Sequence, residues 1–325
     1  MQGDSGDDVK IRKPMRRWEM IPDASGKMHL VDMYSYTPNP FEPMFVADKD
    51  TKFYLYTRKT LREEIKMNID SLDASSFNRE HPTRIMIHGW NGDETSSVNS
   101  KVIEEYLLHG DFNCIMVDWS KGAGTLDYIA ASYRIDDVAK VTASFVDFMI
   151  AHGFLHAETL HIIGHSLGAH GAGVVGKNVQ NGRVRAIFAL DPAGPLYYIN
   201  QPQYRVDASD GDYVEVLHSN GGTLGFGKPL GDADIFLNYG RSQPGCGLDL
   251  TGSCSHSRAP EIFAESINAP GFVAIPCASF NEIDKKRCTN QSPDETIIML
   301  PEPASFDRQG YFLVKTNSAA PFASL

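Results

Sequence analysis

At 325 residues, 42% hydrophobic and 22% charged, the chain is long enough to bury one large α/β core, or two smaller ones. No apolar run approaches the roughly eighteen residues of a membrane span, so no transmembrane segment is expected. The formal net charge of −11 argues against nucleic acid as a partner but leaves a lipid surface open.

Residues 1–17 begin acidic (Asp4, Asp7, Asp8) and turn basic (Lys10, Arg12, Lys13, Arg16, Arg17), the pattern of a solvated arm, with a processing site or an anionic-surface contact as alternatives. Residues 18–50 carry Trp18, Tyr34, Tyr36 and several prolines and are expected to wrap the domain as irregular structure. Residues 1–50 thus form an arm and wrap, and residues 51–325 the main domain.

From Thr51 onward strands and helices alternate. Lys52–Thr57 and Thr83–His88 are predicted strands, and a helix is predicted near Ser97–Leu108. Phe112–Trp119 has the composition of a buried strand. Between Asp127 and His152 the residues Ile129, Tyr133, Val138, Val141, Phe145 and Phe148 recur mostly at helical spacing. Val184–Leu190 and Asp212–His218 are further predicted strands. Strands alternating with helices of this length predict an α/β fold with a mainly parallel central sheet covered by helices on both faces.

Within this series, Thr159–Ile163 reads as a strand, and Gly164-His165-Ser166-Leu167-Gly168 fits the G-x-S-x-G nucleophile elbow. A serine hydroxyl attacks an ester only if it stands clear of the backbone and a base takes its proton. A sharp strand-to-helix turn gives the exposure, and the small residues Ala169, Gly171, Ala172 and Gly173 let the following helix pack closely. The Leu167 amide, directly after the serine, is a candidate oxyanion donor. A second donor is expected from the loop His88-Gly89-Trp90-Asn91-Gly92.

Two carboxylates end strands and could orient a base: Asp191 and Asp118. The α/β-hydrolase chain order of serine, acid, histidine is met by Asp191 and not by Asp118. For the base, His218 at a strand end and His256 in Cys254-Ser255-His256 both follow the acid. Position favours His256, expected on a loop ahead of a helix over Pro260–Ile267. His165 and His170 flank the serine and are expected to point elsewhere.

Of five cysteines, Cys114 lies in an apolar strand and reads as a buried thiol. Cys246, Cys254, Cys277 and Cys288 share one loop-rich stretch and suggest two local bridges, Cys246–Cys254 and Cys277–Cys288, among three possible pairings. Disulfides imply an oxidising compartment. No C-x-x-C spacing supports zinc, and no signal peptide is read at the N-terminus, as in a mature or recombinant form. A sequon, Asn290-Gln291-Ser292, is followed by Pro293.

Taken together, Ile87-His88-Gly89-Trp90, Val117-Asp118-Trp119, the segment Ile163–His170, Leu190-Asp191-Pro192-Ala193 and Cys254-Ser255-His256 resemble the pancreatic lipase family, from about residue 50 onward. The resemblance implies an α/β-hydrolase with Ser166 as nucleophile, Asp191 as acid, His256 as base, and Trp90 and Leu167 as oxyanion donors. It decides between the histidines in favour of His256, and it implies secretion.

Three features depart from the family's triacylglycerol lipases. The lid between Cys246 and Cys254 holds only Gly247, Leu248, Asp249, Leu250, Thr251, Gly252 and Ser253, and the segment before it is trimmed, as in the phospholipase A1 branch and insect neutral lipases. Leu248 and Leu250 remain as an apolar tip. The chain ends soon after Gly310–Asn317, which resembles the close of the catalytic domain. No C-terminal β-sandwich and no colipase partner are therefore expected. Arg205, Asp207 and Asp210 match the family's calcium loop, but the upstream carboxylate is replaced near Pro202. Calcium takes six to eight oxygens, so no cofactor is expected to be required. Any calcium would be structural, with an acidic capping turn as the equal alternative.

The expected function is hydrolysis of glycerolipid esters at a lipid interface through an acyl-enzyme, as a phospholipase A1 or a triacylglycerol lipase. The alternative is a catalytically silent lipid-binding or yolk-storage homologue, which the intact Ser166, Asp191 and His256 oppose.

Overall fold

The computed structural model describes residues 17–22, 27–33, 44–125, 127–269, 271–288, 297–298 and 306–323. The sequon at Asn290 and the basic residues Lys10, Arg12, Lys13 and Arg16 lie outside them. In chain order the strands are β1 (Trp18–Pro22), β2 (Met28–Asp32), β3 (Lys52–Tyr56), β4 (Glu63–Ile65), β5 (Thr83–Ile87), β6 (Asn113–Asp118) and β7 (His161–His165). They continue with β8 (Ala186–Leu190), β9 (Val214–His218), β10 (Ala233–Leu237), β11 (Val273–Cys277), β12 (Ile297–Ile298) and β13 (Gly310–Val314).

Among the described residues β3–β13 form one sheet in the order β12-β11-β13-β10-β9-β8-β7-β5-β6-β3-β4. From β6 across to β13 every pairing is parallel, and β3, β4, β11 and β12 close the two edges antiparallel. The buried strands read as near-continuous apolar runs, as a sheet covered on both faces requires. Alternate side chains serve opposite faces. Ile85 and Ile87 of β5 join one core with Val138 and Phe145 of the helix Tyr128–Ala151. Met86 between them joins the other core with Tyr106 and with Phe263 of the helix Ser253–Asn268.

Two elements differ from expectation. Residues 18–22 and 28–32, expected to be irregular, form an antiparallel pair in which Trp18 faces Asp32 and Met20 faces Leu30. Its alternation puts Ile21 and Val31 inward and leaves Trp18, Met20 and Leu30 exposed. The helix expected over Pro260–Ile267 begins at Ser253, with Pro260 inside it.

The chain runs from β5 outward to β6 and then returns to place β7 on the other side of β5. The carboxyl ends of β5 and β7 are thereby adjacent, with Ile87 opposite Gly164. Such a reversal point opens a crevice at the strand ends, where open α/β sheets bind ligands.

Candidate active site

Ser166 sits between β7 and the helix Leu167–Asn178 with φ 58 and ψ −120. A non-glycine residue in this region is strained by about 1–3 kcal/mol and persists only where its surroundings enforce it. Here its amide donates to Leu190 O at 3.1 Å, and its carbonyl accepts from Ala169 and Ala193 at 3.1 and 3.2 Å. The glycines on either side are demanded by crowding. A Cβ on Gly164 would strike the Gly168 carbonyl, and one on Gly168 would strike Ile87 O of β5. A Cβ on Gly89 would lie 2.9 Å from the Ser166 Cβ, so the loop after β5 rests directly against the serine.

Asp191 follows β8, fully buried, with φ 40. Its Oδ1 accepts from the amides of Ser219 and Asn220 at 2.8 and 3.0 Å, and its Oδ2 lies 2.5 Å from His256 Nδ1. Ser166 and His256 line the same cleft. With Nδ1 committed to the carboxylate, Nε2 is the His256 nitrogen left for a serine proton. His256 lies in the first turn of its helix and not on a loop. The bridge Cys246–Cys254 and the Asp249 carboxylate, which accepts from Ser255 N at 2.7 Å, form that helix start.

The rival residues go elsewhere. His218 is buried against Asp234 (Nε2–Oδ1 2.8 Å) and Phe236, away from the serine cleft. Asp118 lies 3.6 Å from His88 Nε2. His88 ties the two neighbouring motifs together. Its Nε2 accepts from Trp119 N at 3.2 Å, its carbonyl accepts from Trp119 Nε1 at 2.9 Å, and its Nδ1 donates to Gly89 O at 3.0 Å. The Trp90 ring is pinned by a hydrogen bond to Thr125 O (2.7 Å) and by edge contacts with Tyr128 and His29. The loop that would present the Trp90 amide is therefore held from both sides. The Leu167 amide heads a helix, where the first N–H groups have no intrahelical partner.

His165, expected to point away, lines the cleft instead. Its Nε2 donates to His256 O at 3.2 Å, and the two rings stand 4.5 Å apart. Burial, reinforced by the neighbouring His256, lowers its pKa to about 3, so it stays neutral and is a poor base. His170 points away as expected, donating to Ala193 O at 2.8 Å. Ser219 and Asn220 had no linear signal marking them as neighbours of Asp191, whereas His165 directly precedes Ser166 and only its direction was misjudged.

The second bridge joins Cys277 and Cys288, and Cys114 is a buried thiol. In the lid, Leu248 and Leu250 are 86% and 83% exposed, Gly247 and Gly252 take positive φ, and Ser253 already belongs to the helix. Thr251 Oγ1 accepts from Ser253 N at 3.4 Å. The remaining cleft wall is largely apolar, with Ile21, Tyr128, Pro195 and Leu224, and includes Ser96. No described helix is long and apolar enough to cross a membrane. The only group of three described side chains placed to share a metal ion is Cys246, Asp249 and Cys254, and both cysteines are spent in a disulfide.

Residues 30–322 match the lipase family. The chain is 36% identical over 249 residues to pancreatic lipase-related protein 2 of Cavia porcellus, covering 74% of this chain and 56% of that protein. It is 33% identical over 265 residues to lipase member H of Oryctolagus cuniculus, covering 79% and 58%. It is 34% identical over 273 residues to pancreatic triacylglycerol lipase of Homo sapiens, covering 76% and 58%. It spans little more than half the length of these relatives. Over the span it covers, this chain is a member of the lipase family.

Proposed function

We propose that the chain is a secreted carboxylic-ester hydrolase that cleaves acyl chains from glycerolipids, with Ser166 as nucleophile, His256 as base and Asp191 as the orienting acid. One observation carries this reading: a strained, half-buried serine shares a cleft with a histidine whose Nδ1 is held by a buried carboxylate. His256 Nε2 takes the Ser166 proton as Oγ attacks the ester carbonyl, and the amides of Leu167 and Trp90 receive the oxyanion. As the intermediate collapses, the imidazolium gives its proton to the departing glycerol oxygen, leaving an acyl-serine. Water, deprotonated by the same nitrogen, releases the fatty acid and restores the serine. Asp191 holds the Nδ1–H tautomer and offsets the transient positive charge, and the Ser219 and Asn220 amides fix its carboxylate in place.

A lipid substrate suits the largely apolar cleft wall and the exposed Leu248 and Leu250 of the loop that leads into the His256 helix. A short lid leaves room for a charged headgroup, which favours phospholipid. The two disulfides suit an extracellular setting. The test compares wild type with Ser166→Ala on a phosphatidylcholine and a triglyceride, scoring fatty acid release and the position of the remaining acyl chain. Release that vanishes in Ser166→Ala supports the triad, and a 2-acyl lysophospholipid assigns sn-1 cleavage. No turnover of either lipid, together with no fluorophosphonate labelling of Ser166, would leave a binding or storage role.

A further inference from the structure

The loop Arg205–Asp210 has the acidic pattern of a calcium site, yet its oxygens are already engaged. Lys177, in the last turn of the helix that starts at the nucleophile elbow, donates from Nζ to Arg205 O at 2.9 Å and pairs with Asp210 Oδ1. The other Asp210 oxygen accepts from Asp207 N at 2.8 Å. Asp207 Oδ1 accepts from the Ser209 hydroxyl at 2.9 Å, and Asp207 Oδ2 pairs with Arg205 Nη1 at 2.9 Å. The carboxylate oxygens that a divalent ion would need are thus spent inside the protein. An ammonium group stands between a backbone carbonyl and an aspartate that would be its ligands.

We infer that Lys177 is a built-in cation that takes the place of calcium in this loop, so that the loop folds without metal. A calcium ion demands six to eight oxygens and is favoured by several negative charges. The ammonium demands three acceptors and adds a positive charge that would repel a second cation a few ångströms away. The position is built for this reach. A Cβ on Gly173 would come within 2.5 Å of the Val206 Cα, and one on Gly176 would strike the Asp210 carbonyl. Those two glycines let the helix lie directly on the loop, and Lys177, the next residue, extends over it. A lysine in the last helical turn also complements the helix dipole.

The consequence reaches the cleft. The same helix begins with Leu167, and Val206 N donates to His170 Nδ1 at 3.3 Å while the other His170 nitrogen holds Ala193 O. Lys177 therefore fastens the nucleophile helix to the segment that follows Asp191, as a structural ion would. It is a positioning residue and touches no substrate.

The test measures the melting temperature of the full chain in excess EDTA and in millimolar calcium chloride, alongside calcium titration by calorimetry. For wild type the expected result is no shift and no binding heat. Lys177→Met should melt about 5 °C lower, because the buried Asp210 loses its partner, and Lys177→Ser should recover part of that loss on adding calcium. A wild-type melting temperature that falls in EDTA and returns with calcium would overturn the inference. So would a Lys177→Met protein that melts with wild type. The wild-type measurement decides even if neither variant folds, and none of these readings depends on Ser166 being a nucleophile.

Discussion

Pro260 lies four residues beyond His256 in the same helix, and the hydrogen bond that it cannot donate to the His256 carbonyl comes instead from His165 Nε2, 3.2 Å away. A proline inside a helix ordinarily leaves the carbonyl one turn back without its donor. Here the residue just before Ser166 supplies that donor, so the elbow and the helix that carries His256 are tied together at the cleft.

His165→Phe keeps a ring but loses the donor. We expect kcat to fall about tenfold with little change in KM, since a misplaced base costs the transition state and not binding. His165→Gln, which can still donate, should recover most of the rate. Steady-state kinetics on a soluble short-chain ester would show both.

The same residue predicts acid sensitivity. Its pKa in the folded state is about 3, against an ordinary value of 6.5. Above pH 6.5 neither state binds the proton, so stability is undiminished. As pH falls from 6.5 toward 3, the unfolded chain takes up a proton that the folded chain refuses, and stability declines by up to about 1.4 kcal/mol per pH unit. Urea unfolding across this range should show a shallower decline in His165→Phe than in wild type. Equal slopes would mean that His165 does not carry the effect.

Triad substitutions should be non-additive. Ser166→Ala and His256→Ala should each cost about 10⁴-fold or more in kcat, and the double variant should be hardly worse than either, because the groups act as one unit. Asp191→Asn should retain the fold and lose about 10⁴-fold, through the wrong histidine tautomer. Independent losses that multiply would show that the three residues do not share one step.

At the lid, Leu248→Ser with Leu250→Ser should reduce hydrolysis of vesicle or emulsion lipid about tenfold, each exposed leucine contributing part of its transfer free energy at an interface. Hydrolysis of a soluble ester should be unchanged. A parallel loss on the soluble ester would mean that the loop shapes the cleft and does not contact lipid.

Replacing Cys246 and Cys254 by serine should cost about 2–3 kcal/mol, the loop-closure value for a separation of 8 residues. Because the bridge lies at the start of the helix that carries His256, kcat should fall with stability. Thermal melts and kinetics on the same samples would show whether the two losses travel together.

Much of the fold was open to reading because local pattern carried it. The apolar runs of β5 to β9 and the helical spacing over 128–151 mark buried elements whatever their neighbours are. Ser166, Asp191 and His256 could also be singled out as candidates, since G-x-S-x-G, a strand ending in Asp191 and Cys254-Ser255-His256 each leave a mark along the chain, with the family resemblance deciding between His256 and His218. The start of the helix at Ser253 was not, because a bridge and the Asp249 cap begin it ahead of Pro260, where local propensity points to a loop. Nor was the strand pair of residues 18–22 and 28–32, whose inner face finds its core only in the folded domain.

By itself the sequence determined an α/β sheet with a nucleophile elbow, and the residue types from which an ester hydrolase site can be made. Only the tertiary structure decided which groups meet: His218 with Asp234 and not with Ser166, the Ser219 and Asn220 amides on Asp191, His165 on the carbonyl that Pro260 leaves bare, and Lys177 in the acidic loop. These partners stand 16 to 91 positions apart in the chain. Hydrogen bonds and ion pairs act over a few ångströms, so only folding can choose among partners that far apart.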